Sequence, residues 1–308
     1  MSGTIFYFNW EVALIEWLQN FASPLLVSIV SSFSIFGEEL LIIGVLGFFY
    51  WSYDKKLGRH LGTTLLVALM IAPMIKNIVV RRRPYFDNEG IRCLRPVKKG
   101  AELYDIAAHG YSFPSMHSIN AITLYSGLAI HFKKKIGYFL AAILVFMVGF
   151  SRVFVGVHYP TDVLAGWGIG ILIIWLIPIV QRKINNSLIF AIVLAILALP
   201  GWFYCTSDDF YTVYGIMCGM MLGFWFEEKK VNFENTNNII HMILRVVAGG
   251  VLFFVITVVL KMPFSEELLK SGNFIAHMVR ALRYFVASFV VIGVYPISFK
   301  LFNKNIDN

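Results

Sequence analysis

The sequence has little charge for its length. Only 14% of its 308 residues are Asp, Glu, Lys or Arg, whereas a soluble domain has about a quarter. Cysteine is scarce too: Cys93, Cys205 and Cys218 lie far apart, and an odd number with no metal-ligand spacing indicates neither a disulfide framework nor a zinc site. Low-complexity tracts, obvious repeats and long linkers are absent. These deficits exclude a soluble domain and a disulfide-stabilised scaffold.

Apolar sequence takes the place of charge. Hydrophobic residues make up 58% of the chain, and the mean hydropathy is +0.72. Apolar runs recur along the whole length, so they are neither a cleaved signal peptide nor a single anchor. We therefore predict an all-α fold, a polytopic membrane helical bundle. Its candidate spans lie at about 22–37, 39–53, 59–80, 113–131, 136–157, 160–181, 187–205, 210–226, 239–261 and 279–302.

The amino-terminal residues have a different pattern. Trp10, Leu14 and Trp17 share one helical face, while Glu11 and Glu16 fall mostly elsewhere. An apolar face opposite charged residues is typical of a helix that lies in the membrane interface. We predict three regions: an interfacial amphipathic helix in 1–21, a six-span core in 22–181, and a carboxyl-terminal extension of about four spans in 182–308.

The basic residues indicate an orientation. With ten crossings, the short basic loops share one side of the membrane with the amino terminus, and this side should be cytoplasmic. The long polar segment 84–112 then lies on the opposite side. The basic residues of the short loops are Lys55, Lys56, Arg59, Lys133, Lys134, Lys135, Arg182, Lys183, Lys229 and Lys230. We expect an integral protein of the cell membrane, with segment 84–112 facing away from the cytoplasm.

The first polar motif ends the third candidate span, from Lys76 to Pro84. Lys76 and Arg83 are seven residues apart, which predicts that both lie on one helical face. Pro84 disfavours helix at Arg83 and so places it where the span ends. The run Arg81–Arg83 alone is more typical of charges that flank a span. Lys76, however, lies inside the apolar run, where an ionisable group is usually functional.

The second motif, Phe113-Pro-Ser-Met-His-Ser118, opens the fourth span. Proline and serine at a helix start leave backbone N–H groups available, and such a terminus can bind an anion. His117 lies in its first turn. An interfacial histidine whose ring is already hydrogen-bonded would explain this motif equally well.

The third motif runs from Ser151 to Asp162 and joins the fifth and sixth spans. Pro160 is suited to the first position of a helix, so His158 should precede the sixth span and Asp162 should lie in its first turn. A carboxylate there can accept the proton on one imidazole nitrogen and leave the other nitrogen available to attack or bind. A purely structural ion pair at a helix junction is the alternative.

Topology brings the three motifs together. The first ends a span, the second begins the next span, and the third follows a complete crossing out and back, so all three emerge on one membrane face. Two histidines, an aspartate, several cations and a helix terminus on one face predict a site for anion transfer.

The three motifs resemble the signature of a known family. K-x6-R-P, P-S-x-H and S-R-x5-H-x3-D, found here between Lys76 and Asp162, are similar to the tripartite signature of the type 2 phosphatidic acid phosphatase superfamily, whose members include membrane lipid phosphate phosphatases. The middle motif of that family usually reads P-S-G-H, and Met116 replaces the glycine here. A position that required positive φ would strain methionine.

The resemblance implies the chemistry and the role of each residue. His158 would attack phosphorus and form a phosphohistidine, Asp162 would hold the tautomer of His158, and His117 would protonate the leaving oxygen and then activate water. Neither a metal nor another cofactor is expected, because cations neutralise the phosphoryl group. The expected phosphate-binding groups are Lys76, Arg83, Ser115, the backbone N–H of Met116, and Arg152.

The resemblance leaves the natural lipid open. We expect an amphiphilic partner, a membrane lipid phosphate or diphosphate, and no nucleic acid. The final four spans could bind substrate, mediate a homodimer or only enlarge the bundle. A lipid phosphotransferase would keep every predicted site residue and pass phosphate to a second lipid. A vanadate-dependent peroxidase has a similar site but is soluble, and a transporter would leave His117, His158 and Asp162 without a role.

Overall fold

The computed structural model describes residues 3–98 and 100–300, and its regular structure is helical. Within those ranges the only extended pairing is one parallel bridge between Thr4 and Arg81, with no strand. The predicted all-α fold class is confirmed: the chain is an all-α membrane helical bundle. The end of the predicted tenth span, residues 301–302, and the tail after it lie outside the described residues.

Fourteen α-helices follow one another in the described ranges. They are α1 (Asn9–Gln19), α2 (Pro24–Ser32), α3 (Glu39–Phe48), α4 (Lys55–Val79), α5 (Pro84–Asp87), α6 (Ile106–His109), α7 (Met116–Phe132), α8 (Lys135–Phe154), α9 (Pro160–Lys183), α10 (Ser187–Ala198), α11 (Asp208–Phe226), α12 (Ile239–Val259), α13 (Glu266–Lys270) and α14 (Phe274–Phe289). Short 3₁₀ or π turns extend several of them, including Phe33–Gly37 after α2, Phe49–Tyr53 after α3 and Glu227–Val231 after α11.

Several helices have the length and apolarity of membrane spans. Among the described residues five qualify, α4, α8, α9, α12 and the region Phe274–Ser298, and a sixth is obtained if α1 and Pro24–Gly37, bent by 120°, are counted as one broken span. Many large apolar side chains on them face outward, as expected for surfaces in contact with lipid. The ten crossings stay a prediction, because α7 has only 17 residues and α3 and α10 are shorter still.

The chain divides into two compact units. The first comprises Met1–Ile42 and Ile71–Trp175, and the second Ile43–Met70 and Leu176–Asn308. The three predicted regions, which divide the sequence differently, stay predictions. In the first unit α7 packs against α8, and the turn Phe33–Gly37 contacts both helices.

In the second unit α11 packs against α14 through a series of glycines. A Cβ on Gly215 would lie 2.3 Å from the carbonyl oxygen of Ala281, and one on Gly219 the same distance from that of Phe285. Only glycine lets the two backbones approach this closely. The glycine spacing in the sequence therefore reflects close helix packing.

Helix α1 buries part of its polar face. Glu11 and Gln19 are buried in the first unit, whereas Trp10 and Trp17 are about half exposed, at 51% and 55%. The outward aromatic face fits the predicted interfacial position, which stays a prediction. The buried Glu11 is the feature that the sequence pattern did not reveal.

One local prediction is wrong. Helix α4 ends at Val79, and Val80 has φ of +46°. This conformation is strained for a β-branched residue. The chain turns there, so Arg83 has an extended backbone and does not continue the helical face of Lys76. Arg83 nevertheless precedes Pro84, the first residue of α5, as the proline predicted.

Candidate active site

Backbone hydrogen bonds join the three motif segments within the first unit. The N–H of Ser112 donates to the carbonyl of Arg81 at 2.8 Å, which ties the segment before α7 to the first motif. The N–H of Ser115 donates to the carbonyl of Asp162 at 3.0 Å, which ties the start of α7 to the start of α9. The motifs that the sequence places on one membrane face are therefore in direct contact.

His158 and Asp162 form a buried pair. Pro160 begins α9 as predicted, so Asp162 lies in its first turn and His158 lies just before it. The His158 Nδ1 and the Asp162 Oδ2 are 3.3 Å apart. Arg83 Nη1 lies 3.3 Å from His158 Nε2, and a guanidinium can only donate, so Nε2 is the unprotonated nitrogen. His158 thus donates its Nδ1 proton to Asp162 and directs a lone pair toward Arg83.

The environment of His158 disfavours its charged form. Burial and the nearby guanidinium groups of Arg83 and Arg152 lower the pKa of His158 well below its ordinary value. The imidazole therefore stays neutral through the physiological pH range, which is the state a nucleophile needs.

Backbone carbonyls orient two of the predicted phosphate-binding cations. Arg83 donates through Nη2 to the carbonyl of His109 at 2.7 Å and through Nη1 to the carbonyl of Val157 at 2.9 Å. Lys76 Nζ donates to the carbonyl of Tyr111 at 2.9 Å. Because these acceptors are uncharged, they position both cations without cancelling their charge. The long loop before α7 supplies the carbonyls of His109 and Tyr111, and the third motif supplies that of Val157.

Arg152 is buried near the end of α8. Its Nη1 donates to the hydroxyl of Ser34 at 2.9 Å. Its Nε is buried without a hydrogen-bond partner among the residues that the structure describes. A buried guanidinium N–H of this kind is costly unless an anion binds it. Arg152 therefore has a donor suited to a phosphoryl oxygen.

The start of α7 has the predicted cap. Ser115 precedes the first helical residue, Met116, and its hydroxyl accepts hydrogen bonds from the N–H and the hydroxyl of Ser118. Met116 is not among the described residues with positive φ, so its side chain is accommodated without backbone strain where the family usually has glycine. The first N–H groups of a helix have no partner within it, and they carry the positive end of the helix dipole.

His117 lies in the first turn of α7 and is half-buried. A Cβ on Gly37 would lie 3.0 Å from the Cβ of His117, so glycine allows this close approach. In the part of the chain that the structure describes, no hydrogen bond holds the ring of His117. This histidine differs from His158 in having no carboxylate partner there.

Two residues of the site were missed from the sequence. Arg81, which resembled a flanking charge, is fully buried and donates through Nη1 to Asp162 Oδ1 at 2.7 Å. Glu11, assigned to the polar face of α1, is equally buried and accepts from Arg81 Nη2 at 2.8 Å. They support Asp162 from behind, away from His158. Their separation along the chain leaves no local spacing that could have revealed the contact.

Possible metal ligands are dispersed. Across residues 3–98 and 100–300, no three His, Cys, Asp or Glu side chains come together as a set able to hold an ion. Two buried carboxylates of this region, Glu11 and Asp162, both bind Arg81.

Two family descriptions match parts of this chain. The PAP2 superfamily matches residues 57–186, and a second description, PAP2 superfamily phosphatase, transmembrane extension, matches residues 211–305. The chain belongs to the PAP2 superfamily, the type 2 phosphatidic acid phosphatase superfamily. The first match contains all three motifs, and the second covers most of the sequence after the predicted core.

Curated relatives in this family act on lipid phosphates. Phosphatidylglycerophosphatase B of Bacillus subtilis is 39% identical over 85 residues, which are 25% of this chain and 42% of the relative. Lipid A 1-phosphatase of Rhizobium etli is 31% identical over 119 residues, 38% of this chain and 47% of the relative. The chain thus spans less than half the length of these two relatives.

A crystal structure of a transmembrane PAP2-type phosphatidylglycerolphosphate phosphatase from Bacillus subtilis is also similar. It is 25% identical, with a TM-score of 0.43, over 58% of this chain and 89% of that one.

Proposed function

We propose that this integral membrane protein hydrolyses a lipid phosphate or diphosphate through a phosphohistidine on His158. One observation carries the proposal: buried His158 places Nδ1 against the Asp162 carboxylate and Nε2 against the guanidinium of Arg83. Attack on the phosphorus of an anionic phosphoryl group is favoured when cations beside the nucleophile bind the phosphoryl oxygens.

In the first step His158 Nε2 forms a bond to phosphorus as the bond to the leaving oxygen breaks. His117 donates a proton to that oxygen. The imidazole gains positive charge, which Asp162 stabilises through the Nδ1–H hydrogen bond. In the second step His117, now unprotonated, takes a proton from water, and the water oxygen attacks phosphorus. The bond between phosphorus and His158 Nε2 breaks, which releases inorganic phosphate and restores His158.

The phosphoryl oxygens are bound by positive groups from all three motifs. Lys76, Arg83 and Arg152 supply side-chain donors, and the start of α7 supplies Ser115 and the N–H of Met116. The transition state of phosphoryl transfer spreads charge over the equatorial oxygens, so fixed donors stabilise it. The same cations take the place of a metal in this proposal.

The substrate is an amphiphile whose headgroup reaches the end of α4 while its chains stay in the bilayer. The relatives act, by name, on phosphatidylglycerophosphate and on the 1-phosphate of lipid A. These two lipids share a phosphate on a lipid anchor, which is the class we propose here.

A panel of substrates tests the activity. Purified protein in detergent is given isoprenoid diphosphates, glycerolipid phosphates, sphingoid phosphates and lipid A, with and without chelator. We expect inorganic phosphate release from at least one lipid, unchanged by chelator. Phosphate that appears on a second lipid would identify a phosphotransferase, and loss in chelator with rescue by Mg²⁺ would contradict the metal-independent mechanism.

We also propose that the site faces away from the cytoplasm, because the short basic loops lie at the other ends of the helices. Single cysteines at the exposed positions Glu89 and Lys134, in a chain without native cysteines, test the orientation. An impermeant thiol reagent applied to intact cells should label the cysteine at 89 and spare the one at 134. The opposite result overturns the orientation.

A further inference from the structure

Three charged side chains are completely buried beside the proposed nucleophile. Arg81 donates through Nη1 to Asp162 at 2.7 Å and through Nη2 to Glu11 at 2.8 Å, and all three side chains are 0% exposed. Removing three charges from water is expensive, and removing one partner from such a cluster is strongly destabilising. Each of the three charged groups therefore depends on the other two, because the loss of one would leave a buried charge without its partner.

Glu11 also holds the start of α9. Its Oε1 accepts from the N–H of Thr161 at 3.0 Å and from the Thr161 hydroxyl at 2.6 Å. The same hydroxyl accepts from Arg81 Nη1 at 2.7 Å. Thr161 directly precedes Asp162, so Glu11 fixes both the cation that binds Asp162 and the backbone that carries it.

The segment before α1 fixes the other side of Arg81. The N–H of Thr4 donates to the carbonyl of Val80 at 2.8 Å, and the N–H of Arg82 donates to the carbonyl of Thr4 at 3.1 Å. Arg81 Nε donates to the carbonyl of Phe6 at 2.9 Å. A strained residue such as Val80 persists only where its surroundings hold it, and this pairing supplies the restraint.

The charges of the cluster explain why a second carboxylate is useful. A single guanidinium bound only to Asp162 would cancel the negative charge that faces His158. With Glu11 present, Arg81 is shared between two carboxylates and the cluster keeps one net negative charge. His158 becomes cationic when it binds phosphorus, amid Arg83 and Arg152, so it needs that charge.

We propose that Glu11 is a positioning residue of the active site, acting on His158 through Arg81, Thr161 and Asp162. The amino-terminal segment 4–11 is then part of the catalytic unit and not only an attachment to the membrane surface. This inference rests on the proposed function, since it assigns Glu11 a role in phosphoryl transfer to His158.

The test replaces Glu11 by Gln in the full-length protein. Glu16→Gln is the matched control, because Glu16 lies on the same helix but its carboxylate lies against Gly90 instead of Arg81. The measurements are kcat and KM with an active lipid phosphate, the inhibition constant of inorganic phosphate, and the amount of folded, monodisperse protein. Wild-type protein must first release phosphate; its failure would reject the proposed function, whatever Glu11 does.

For Glu11→Gln we expect kcat per folded molecule to fall about 10- to 100-fold, the loss that is typical when a group that orients a metal-bound histidine is removed. KM and the phosphate inhibition constant should change less than about twofold, since the hydrogen bonds of Glu11 go to Phe8, Arg81 and Thr161 and to none of the proposed phosphate-binding groups. Glu16→Gln should match wild type. An unchanged kcat for Glu11→Gln, or a fall in kcat accompanied by an equal weakening of phosphate inhibition, overturns the proposal.

Thr161→Val tests the same proposal if the Glu11→Gln variant does not fold. It keeps all three charges and the direct ion pair between Glu11 and Arg81, and it removes only the hydroxyl that bridges the two side chains. We expect kcat to fall several-fold with phosphate inhibition unchanged, in proportion to the loss of one or two hydrogen bonds. Wild-type kcat in this variant contradicts the proposed coupling.

Discussion

Each of the two units buries an acidic side chain against a cation, but the two clusters end differently. In the second unit Glu227 accepts from Lys55 Nζ at 2.9 Å and from the N–H of Phe233 at 3.1 Å, and Lys55 also donates to the carbonyl of Phe233 at 2.8 Å. These groups bind one another and the backbone. In the first unit the chain of charges from Glu11 and Arg81 ends at His158, whose Nε2 lone pair faces Arg83.

The difference teaches that buried charge alone does not identify a catalytic site. Buried ionic groups are retained in both units, where each is satisfied by its partners. Only the first cluster ends at a nucleophilic atom beside cations that can bind an anion. The variants below test whether the two clusters differ in function as they differ in geometry.

The largest effect should follow His158→Ala. The variant removes the only nucleophile that is paired with a carboxylate among the motif residues, so lipid phosphate turnover should fall to the background rate. Phosphate release measured over hours checks this. Turnover above about one thousandth of the wild-type rate would mean that His158 is not the nucleophile.

Arg83→Lys should have the next largest effect. Arg83 reaches the carbonyls of His109 and Val157 and the ring of His158 at once, and an ammonium cannot reproduce this planar set of donors. We expect kcat/KM to fall about 100-fold, the cost of losing one preorganised donor to the transition state. Steady-state kinetics check it, and a fall below fivefold would show that charge alone is sufficient.

The pH dependence should show a smaller effect. Because the pKa of His158 is lowered, acidification protonates the nucleophile only after the pH has fallen well below 6.5, the ordinary value for histidine. Activity should therefore persist as the pH falls through 6.5, where an ordinary histidine would become protonated. The check is kcat/KM against pH, corrected for ionisation of the substrate. A loss of activity centred at or above 6.5 contradicts the lowered pKa.

The smallest effect on turnover is expected in the second unit. Glu227→Gln weakens the buried pair with Lys55 and should cost about 1 to 3 kcal/mol of stability, while kcat per folded molecule stays within about twofold. Glu228→Gln is the control, because its pair with Arg59 is exposed and contributes little. Thermal unfolding and kinetics are measured together. A tenfold loss of kcat in Glu227→Gln would make the second cluster functional too.

Local patterns in the sequence predicted the short-range features of the site. Pro160 begins α9 and Ser115 caps α7 as expected, because each acts on its own few residues. The prediction that Lys76 and Arg83 share a helical face was wrong. The chain turns at Val80, after α4, where Thr4 pairs with Val80 and Arg82. Helical periodicity cannot anticipate such a long-range contact.

The support behind Asp162 was not predictable for the same reason. Glu11 contacts Thr161 across 150 residues of chain, so no spacing links them. Arg81 stands in a run of three arginines, where nothing in the sequence distinguishes the one that faces Asp162. The predicted site residues thus came from motif spacing, whereas Glu11 and Arg81 required three-dimensional packing.

The most direct test of the phosphohistidine mechanism uses His117→Ala with an aryl phosphate whose phenol needs no proton to leave. Attack by His158 can then proceed, but hydrolysis of the phosphoenzyme lacks its base. We expect a burst of about one equivalent of phenol per enzyme, then a stall with an acid-labile, base-stable phosphate on His158. The assigned roles would be contradicted if His117→Ala gave neither a burst of phenol nor a phosphorylated enzyme while His158→Ala still gave a burst or a phosphorylated enzyme.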